Sequence, residues 1–126
     1  MKDEHIQYRI RRARETYKDA QTLFEMGSIN SSVNRLYYAA FYAALALLID
    51  KDIKVKSHKG VQQKMGEEFV LKGQISKELA KVYSILSDYR HKGDYNDLFE
   101  FDSEVIGKLF EPIAEFIDRI EVILQK

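Results

Sequence analysis

Apolar residues recur at steps of three and four along most of the chain, the spacing that places them on one face of an α-helix. The pattern predicts five helices, the first four over roughly residues 2–26, 29–50, 58–71 and from 75 into "YRHKGDYND" (89–97), and the last from 103 onward. The segment "YNDLFEFD" is predicted to be the loop between the last two helices. The pattern is that of an all-α protein.

Turn and cap residues support these boundaries. Gly27 is predicted to end the first helix in a left-handed turn, and Ser28 is a candidate cap for the second. Asp102 or Ser103 is expected to cap the last helix. Pro112 lies inside that helix and is predicted to kink or split it, because proline removes a backbone hydrogen bond and clashes with the preceding turn.

The second predicted helix is apolar on nearly all sides from Leu36 to Ile49, a run of 14 residues. A membrane-spanning helix needs about 20 such residues, so we interpret this run as the core helix of a bundle. The chain has 126 residues with one proline and six glycines, which leaves room for long helices and little else. We predict one domain, 1–126, folded as an up-and-down bundle of four to five helices.

Composition narrows the function classes. The 20 basic and 20 acidic residues cancel, which argues against a protein that binds DNA or membranes by overall charge. The chain has no cysteine, which excludes disulfides and thiolate metal sites. The polar start "MKDEHIQYRIRR" is no signal peptide, so we expect a cytoplasmic protein that does not enter a membrane.

No cofactor or metal site is predicted. The histidines His5, His58 and His91 are scattered, and none has the His-x-x-x-His or Glu-x-x-His spacing of a metal site. The sequence also contains no glycine-rich phosphate loop.

The segment 89–97 is the first candidate site, and it could cleave RNA without a metal. Arg90 could bind and neutralise a phosphate, because a guanidinium keeps its charge and offers two parallel donors. His91 could act as a base or an acid. Asp94 could orient His91 or Arg90, and Tyr95 could bind a phosphate or stack on a base.

A structural alternative explains the same residues without chemistry. Arg90 and Asp94 are four residues apart and can pair on a helix surface, which contributes only about 0.3–0.5 kcal/mol. His91 would then be a solvated residue near a helix C-terminus, and Gly93 would end the helix.

Arg35, Tyr38 and Tyr42 share one helix face and form the second candidate site. They could bind a nucleotide, with the guanidinium on the phosphate and a tyrosine stacked on the base. Alternatively, Arg35 is an internal arginine paired with an acid, either Asp94 or Asp88, and the tyrosines belong to the core.

The segment "KSHKG" is the third candidate site. Ser57 can cap the third helix, and His58 and Lys59 in its first turn could hold an anion; the alternative is a plain cap with a solvated start. The most basic surface lies on the first helix and could bind an RNA backbone, although charged helix faces are usually only solvated. Its members are Arg9, Arg11, Arg12 and Arg14.

Three separated segments, "RLYYAAF" (35–41), "SHKG" (57–60) and "RHKGDY" (90–95), resemble in the same order the signature of short stand-alone proteins of the HEPN superfamily. The resemblance covers nearly the whole chain. It implies a helical bundle that pairs into a homodimer, and a link to nucleotides and RNA. Many such proteins are metal-independent endoribonucleases that act as toxins, and many are encoded beside a minimal nucleotidyltransferase that acts as the antitoxin.

The chain departs from the nuclease pattern of that superfamily, in which a histidine follows the arginine after four to six residues. Here His91 directly follows Arg90, and Asp94 and Tyr95 occupy the place of the downstream histidine.

Two hypotheses follow from the sequence. The first is one half of a toxin–antitoxin or defence pair that binds RNA or a nucleotide through Arg90 and Tyr95; this hypothesis leaves open whether the RNA is also cleaved. The second is a non-catalytic interaction module that presents a substrate to a partner minimal nucleotidyltransferase. The missing downstream histidine favours the second, and Arg90 with His91 beside it keeps the first open.

Overall fold

The computed structural model describes residues 1–96 and 98–125, so Asp97, the last residue of the segment 89–97, lies outside the described residues. The described part is helical and contains no strand, which confirms the all-α prediction. The α-helices are α1 (Lys2–Glu25), α2 (Ile29–Asp50), α3 (His58–Met65), α4 (Lys77–Tyr95), α5 (Ser103–Gly107) and α6 (Phe110–Leu124).

Helix α2 is the centre of the bundle and packs against α1, α4 and α6. Its small residues Ala39, Ala40 and Ala43 are fully buried, which lets neighbouring helices approach closely, and Leu36 and Leu47 fill the space beside them. By length and composition α2 is apolar enough to cross a membrane, but most of its apolar stretch is covered by the other helices. This is the position expected for the core helix of a bundle.

The turn between α1 and α2 uses the predicted glycine but not the predicted serine cap. Gly27 has a φ of +83°, the left-handed conformation that glycine adopts without steric cost. The Ser28 side chain makes no capping hydrogen bond, so that prediction is wrong. One turn later the buried Ser32 hydroxyl donates to the Ala20 carbonyl at 2.7 Å and links α2 to α1 instead.

The last predicted helix is split into α5 and α6, as Pro112 suggested, but the break precedes the proline. Asp102 caps α5 by accepting a hydrogen bond from the Glu104 backbone N–H at 2.9 Å. Helix α6 begins at Phe110, so that Pro112 occupies its first turn. Backbone N–H groups in the first turn of a helix have no acceptor within that helix, so the N–H that proline lacks costs no hydrogen bond here. The proline ring also causes no clash, because no helical turn precedes it.

Two helices end differently from the sequence prediction. Helix α3 stops at Met65 and continues as a π-helical turn over Gly66–Val70. Helix α4 passes through Gly93 and ends at Tyr95, so Gly93 is not a helix stop. A β-carbon at Gly93 would lie 3.2 Å from the Phe101 ring, so this glycine serves the close approach of that ring to the helix.

Candidate functional site

The start of α3 and the C-terminal half of α4 form the walls of a cleft of about 860 Å³. Its lining includes Ser57, His58 and Lys59 from α3 and Arg90, His91 and Tyr95 from α4. Two of the three candidate sites in the sequence, "KSHKG" and "YRHKGDYND", therefore belong to one site. No group of three or more His, Cys, Asp or Glu side chains in the described residues is placed to hold a metal ion.

The α3 wall begins with a capped helix N-terminus. The Ser57 hydroxyl accepts a hydrogen bond from the Gly60 backbone N–H at 2.9 Å, which confirms the predicted cap. A β-carbon at Gly60 would lie 3.1 Å from that same oxygen, so a glycine leaves room for the cap. The cap fixes the first turn of α3 and with it the position of His58 and Lys59 at the cleft.

His58 is held by aromatic side chains of α2. Its Nδ1 lies 2.8 Å from the Tyr37 hydroxyl oxygen. Its ring stacks on Phe41 with centroids 4.3 Å apart and planes 11° apart, and Tyr38 meets it edge-on at 5.7 Å. Burial, together with the positive charge of Arg90, lowers the pKa of His58 below its ordinary value. The neutral imidazole is therefore the favoured form at neutral pH.

Arg90 lies on the α4 wall with only 16% of its side chain exposed. Its guanidinium stands over the Tyr37 ring at 4.9 Å, and its Nη1 donates to Asp94 Oδ2 at 3.1 Å. The pair of Arg90 with Asp94, which the structural alternative predicted, is therefore present. Arg90 is mostly buried, however, and does not lie on the helix surface as that alternative assumed. Its Nε is buried and has no hydrogen-bond partner among the described residues. A buried donor without a partner costs free energy, so the position of Arg90 is maintained by its other contacts.

His91 and Tyr95 form the outer part of the cleft. Their rings lie 4.6 Å apart, and Tyr95 is 75% exposed. This pair offers an accessible aromatic face beside Arg90, which suits stacking against a base.

The second candidate site does not line the cleft but adjoins it. Arg35 donates from Nη2 to the Asn34 side-chain oxygen at 2.8 Å, and its guanidinium lies 5.0 Å from the Tyr38 ring. No acidic partner binds Arg35 among the described residues, so the predicted pairing with Asp94 or Asp88 is wrong. The physical reason is that Arg35 is only half-buried and does not require a counter-ion.

The arginine cluster of α1 is spread over several partners. Arg14 pairs with Asp118 and Glu121 of α6, and Arg12 pairs with Glu15 at 3.1 Å. Arg9 and Arg12 also lie near the Tyr42 ring, at 5.9 and 5.7 Å from its centroid. Much of this positive charge is therefore engaged within the protein.

Tyr37 is the site residue that the sequence analysis missed. It is fully buried, and it contacts both His58 and Arg90, which come from opposite walls of the cleft. Its position in "RLYYAAF", one residue before the predicted Tyr38, was the available signal. Adjacent helical residues point about 100° apart, so Tyr37 lies beneath both walls while Tyr38 meets His58 edge-on from the side.

Comparison with known proteins agrees with the helical fold. A family model described as the HEPN domain matches residues 6–123 of this chain. The chain belongs to the HEPN domain family. A UPF0332 protein of Thermotoga maritima is 39% identical to this HEPN chain over 124 residues, which are 98% of this chain and 94% of the relative. A protein of Methanocaldococcus jannaschii named "Putative toxin MJ0605" is 35% identical over 124 residues, covering 98% of this chain and 91% of the relative.

Proposed function

We propose that this HEPN protein is a toxin that binds the phosphodiester backbone of single-stranded RNA in the cleft between α3 and α4 and cleaves it without a metal. The observation that carries the proposal is the convergence of His58 and Lys59 with Arg90 at one cleft. The toxin name of the M. jannaschii relative supports the same direction.

The charges of the cleft suit a phosphate. Arg90 lines one wall with a guanidinium that is 16% exposed, and Lys59 adds a second cation from the opposite wall. Asp88 is the opposing carboxylate in the lining, and Asp94 is already bound to Arg90. Guanidinium groups bind phosphate with two parallel hydrogen bonds, so Arg90 is the expected anchor.

The size and the rim of the cleft suit a nucleotide unit. A volume of about 860 Å³ lies within the range of small-molecule sites, which is about 300–1,000 Å³. Tyr95 and His91 at the rim can stack on a base, an interaction of about 1–3 kcal/mol per base in single-strand binders. A free nucleotide carries the same phosphate and base, so both ligands belong in the test.

The first test is fluorescence anisotropy of an end-labelled, single-stranded 12-residue RNA in EDTA, with unlabelled AMP as the competing ligand. We expect Arg90→Ala to weaken binding by about ten-fold or more, since a charged hydrogen bond contributes about 1.5–3 kcal/mol. Lys81→Ala is the matched control, because it removes one positive charge from an exposed position of the same helix outside the cleft. That variant should bind within about two-fold of wild type, because an isolated surface charge contributes little.

The competition experiment distinguishes RNA from a free nucleotide as the ligand. Displacement of the RNA by AMP at similar concentrations would make the ligand a nucleotide rather than RNA. Equal binding by wild type and Arg90→Ala would refute the assignment of the cleft. A folded wild-type protein that binds neither ligand would overturn RNA as the target, and the cleft would then serve a protein partner such as a minimal nucleotidyltransferase.

The toxin assignment has its own experiment. Induced expression of wild type, without any partner protein, should arrest growth of the host, and Arg90→Ala should relieve the arrest. Lys81→Ala should remain toxic at equal protein levels. We also propose that the protein is a homodimer, and light scattering of the purified samples measures that state directly.

A further inference from the structure

His58 is the most firmly positioned proton-transfer group at the cleft. Its Nδ1 is engaged by the Tyr37 hydroxyl at 2.8 Å, and its ring is fixed by the stack on Phe41. Its other nitrogen, Nε2, has no hydrogen-bond partner among the described residues, and the side chain lines the cleft. One nitrogen is therefore used for orientation, and the other is available to a ligand.

We propose that His58 is a catalytic residue of this cleft, the general base that removes the proton from a ribose 2′-hydroxyl. This inference rests on the proposed function, because it requires RNA to lie in the cleft with its phosphate at Arg90. It assigns the base to α3, whereas the segment around Arg90 alone would assign it to His91.

A general base at Nε2 requires the tautomer of His58 that carries its proton on Nδ1. The Tyr37 hydroxyl oxygen lies 2.8 Å from Nδ1 and can accept that proton in a hydrogen bond. This arrangement leaves a lone pair on Nε2, which is the requirement for a base. Burial and the charge of Arg90 lower the pKa of His58, so that lone pair is unprotonated at neutral pH.

The reaction is a transesterification within the RNA. Nε2 of His58 takes the 2′-hydroxyl proton, and the 2′-oxygen forms a new bond to phosphorus. The bond from phosphorus to the 5′-oxygen breaks, and that oxygen takes a proton from a water molecule. The products are a 2′,3′-cyclic phosphate and a 5′-hydroxyl, and the proton held by His58 passes to the hydroxide left by that water. Arg90 binds the non-bridging phosphate oxygens throughout.

The test is single-turnover cleavage of the end-labelled RNA by protein in excess, in EDTA. We expect His58→Gln to lower the rate at saturation by about 100-fold or more, the usual range for a general base, with RNA affinity within about three-fold of wild type. His5→Gln is the matched control, because His5 is an exposed histidine of α1 outside the cleft. Its rate should equal that of wild type.

Chemical rescue by imidazole distinguishes a general base from a residue that only positions the substrate. His58→Ala in buffer with added imidazole should regain cleavage, and the gain should follow the concentration of neutral imidazole. Tyr37→Phe keeps the aromatic packing and removes the oxygen that orients Nδ1, so we expect about a ten-fold lower rate with unchanged affinity. RNA bearing a 2′-deoxyribose at the cleaved position should stay intact.

The failures are distinguishable. A protein that binds RNA but cleaves with the same rate after His58→Gln overturns this inference and leaves the binding assignment standing. A wild type that binds RNA without cleaving it overturns both the inference and the nuclease part of the proposed function. If the RNA affinity of His58→Gln falls in parallel with its rate, the residue holds substrate and is not the base.

Discussion

At the residue scale, Asp94 is the carboxylate that binds the Arg90 guanidinium. Its carboxylate accepts from the guanidinium at 3.1 Å, while the Asn34 amide donates to its other oxygen at 3.4 Å. A phosphate would compete with that carboxylate for the same donors. Asp94 therefore orients Arg90 in the free protein and opposes anion binding at the same time.

Replacing Asp94 by asparagine should tighten RNA binding. The neutral amide keeps the size of the side chain but removes the negative charge that holds Arg90, which at a partly exposed site contributes about 0.2–1 kcal/mol. We expect the dissociation constant of the 12-residue RNA to fall by up to about five-fold. Anisotropy titration in low salt measures the change, and Glu78→Gln, at the start of α4 and outside the cleft, controls for the loss of one negative charge. Equal or weaker binding by Asp94→Asn would mean that the orientation of Arg90 matters more than the competition.

At the scale of secondary-structure elements, the N-terminal caps of α3 and α4 position the two walls of the cleft. Ser57 begins one wall and Ser76 begins the helix of the other, where its hydroxyl accepts from the Leu79 backbone N–H at 3.2 Å. The cap at Ser76 satisfies a donor that would otherwise lack a partner within the helix. Its effect should therefore appear in the free energy of unfolding rather than in RNA affinity, because it lies at the far end of α4 from Arg90.

Replacing Ser76 by alanine should lower the free energy of unfolding by about 1 kcal/mol, the typical value of an N-cap. Urea denaturation followed by circular dichroism measures this loss. Ser28→Ala is the matched control, since Ser28 precedes α2 in the same way but makes no capping hydrogen bond. We expect the control to stay within about 0.5 kcal/mol of wild type, as for ordinary surface changes. An equal loss in both variants would contradict the role of the Ser76 cap.

The positions of the helices could be predicted from the sequence more completely than the arrangement of residues in the site. The apolar periodicity and Gly27 predict α2 with the bounds Ile29–Asp50 that the structure shows. The π-helical turn at Gly66–Val70 could not be predicted, because a change of period over five residues leaves no clear pattern. The chemistry of Arg90 and His58 follows from their residue types, but their meeting at one cleft depends on how α3 packs beside α4.

At the scale of the whole molecule, Tyr37 of α2 connects the two walls, since it contacts His58 and Arg90 while it is fully buried in the core. The site is therefore part of the packed bundle rather than an addition to its surface. A change in the protonation of His58 should consequently affect the stability of the whole fold.

The free energy of unfolding should decrease as the pH falls below about 6.5, the ordinary pKa of histidine. Burial and Arg90 lower the pKa of His58 in the folded protein, so the unfolded chain binds a proton first and is stabilised by it. The decrease should continue until the pH reaches the lowered pKa of folded His58. Urea denaturation between pH 7.5 and 5 measures this slope, and His58→Gln should show a shallower one. Equal slopes in both proteins would show that His58 titrates alike in the folded and unfolded states.

The stacking of His58 on Phe41 allows the protonation of His58 to be followed by fluorescence. The chain contains eight tyrosines and no tryptophan, so a single indole at position 41 would be the only tryptophan fluorophore in the molecule. A ring 4.3 Å from the imidazole is close enough for the imidazolium to quench its emission. The brightness of Phe41→Trp would then report whether the cleft histidine holds a proton, without a label and in the presence of RNA.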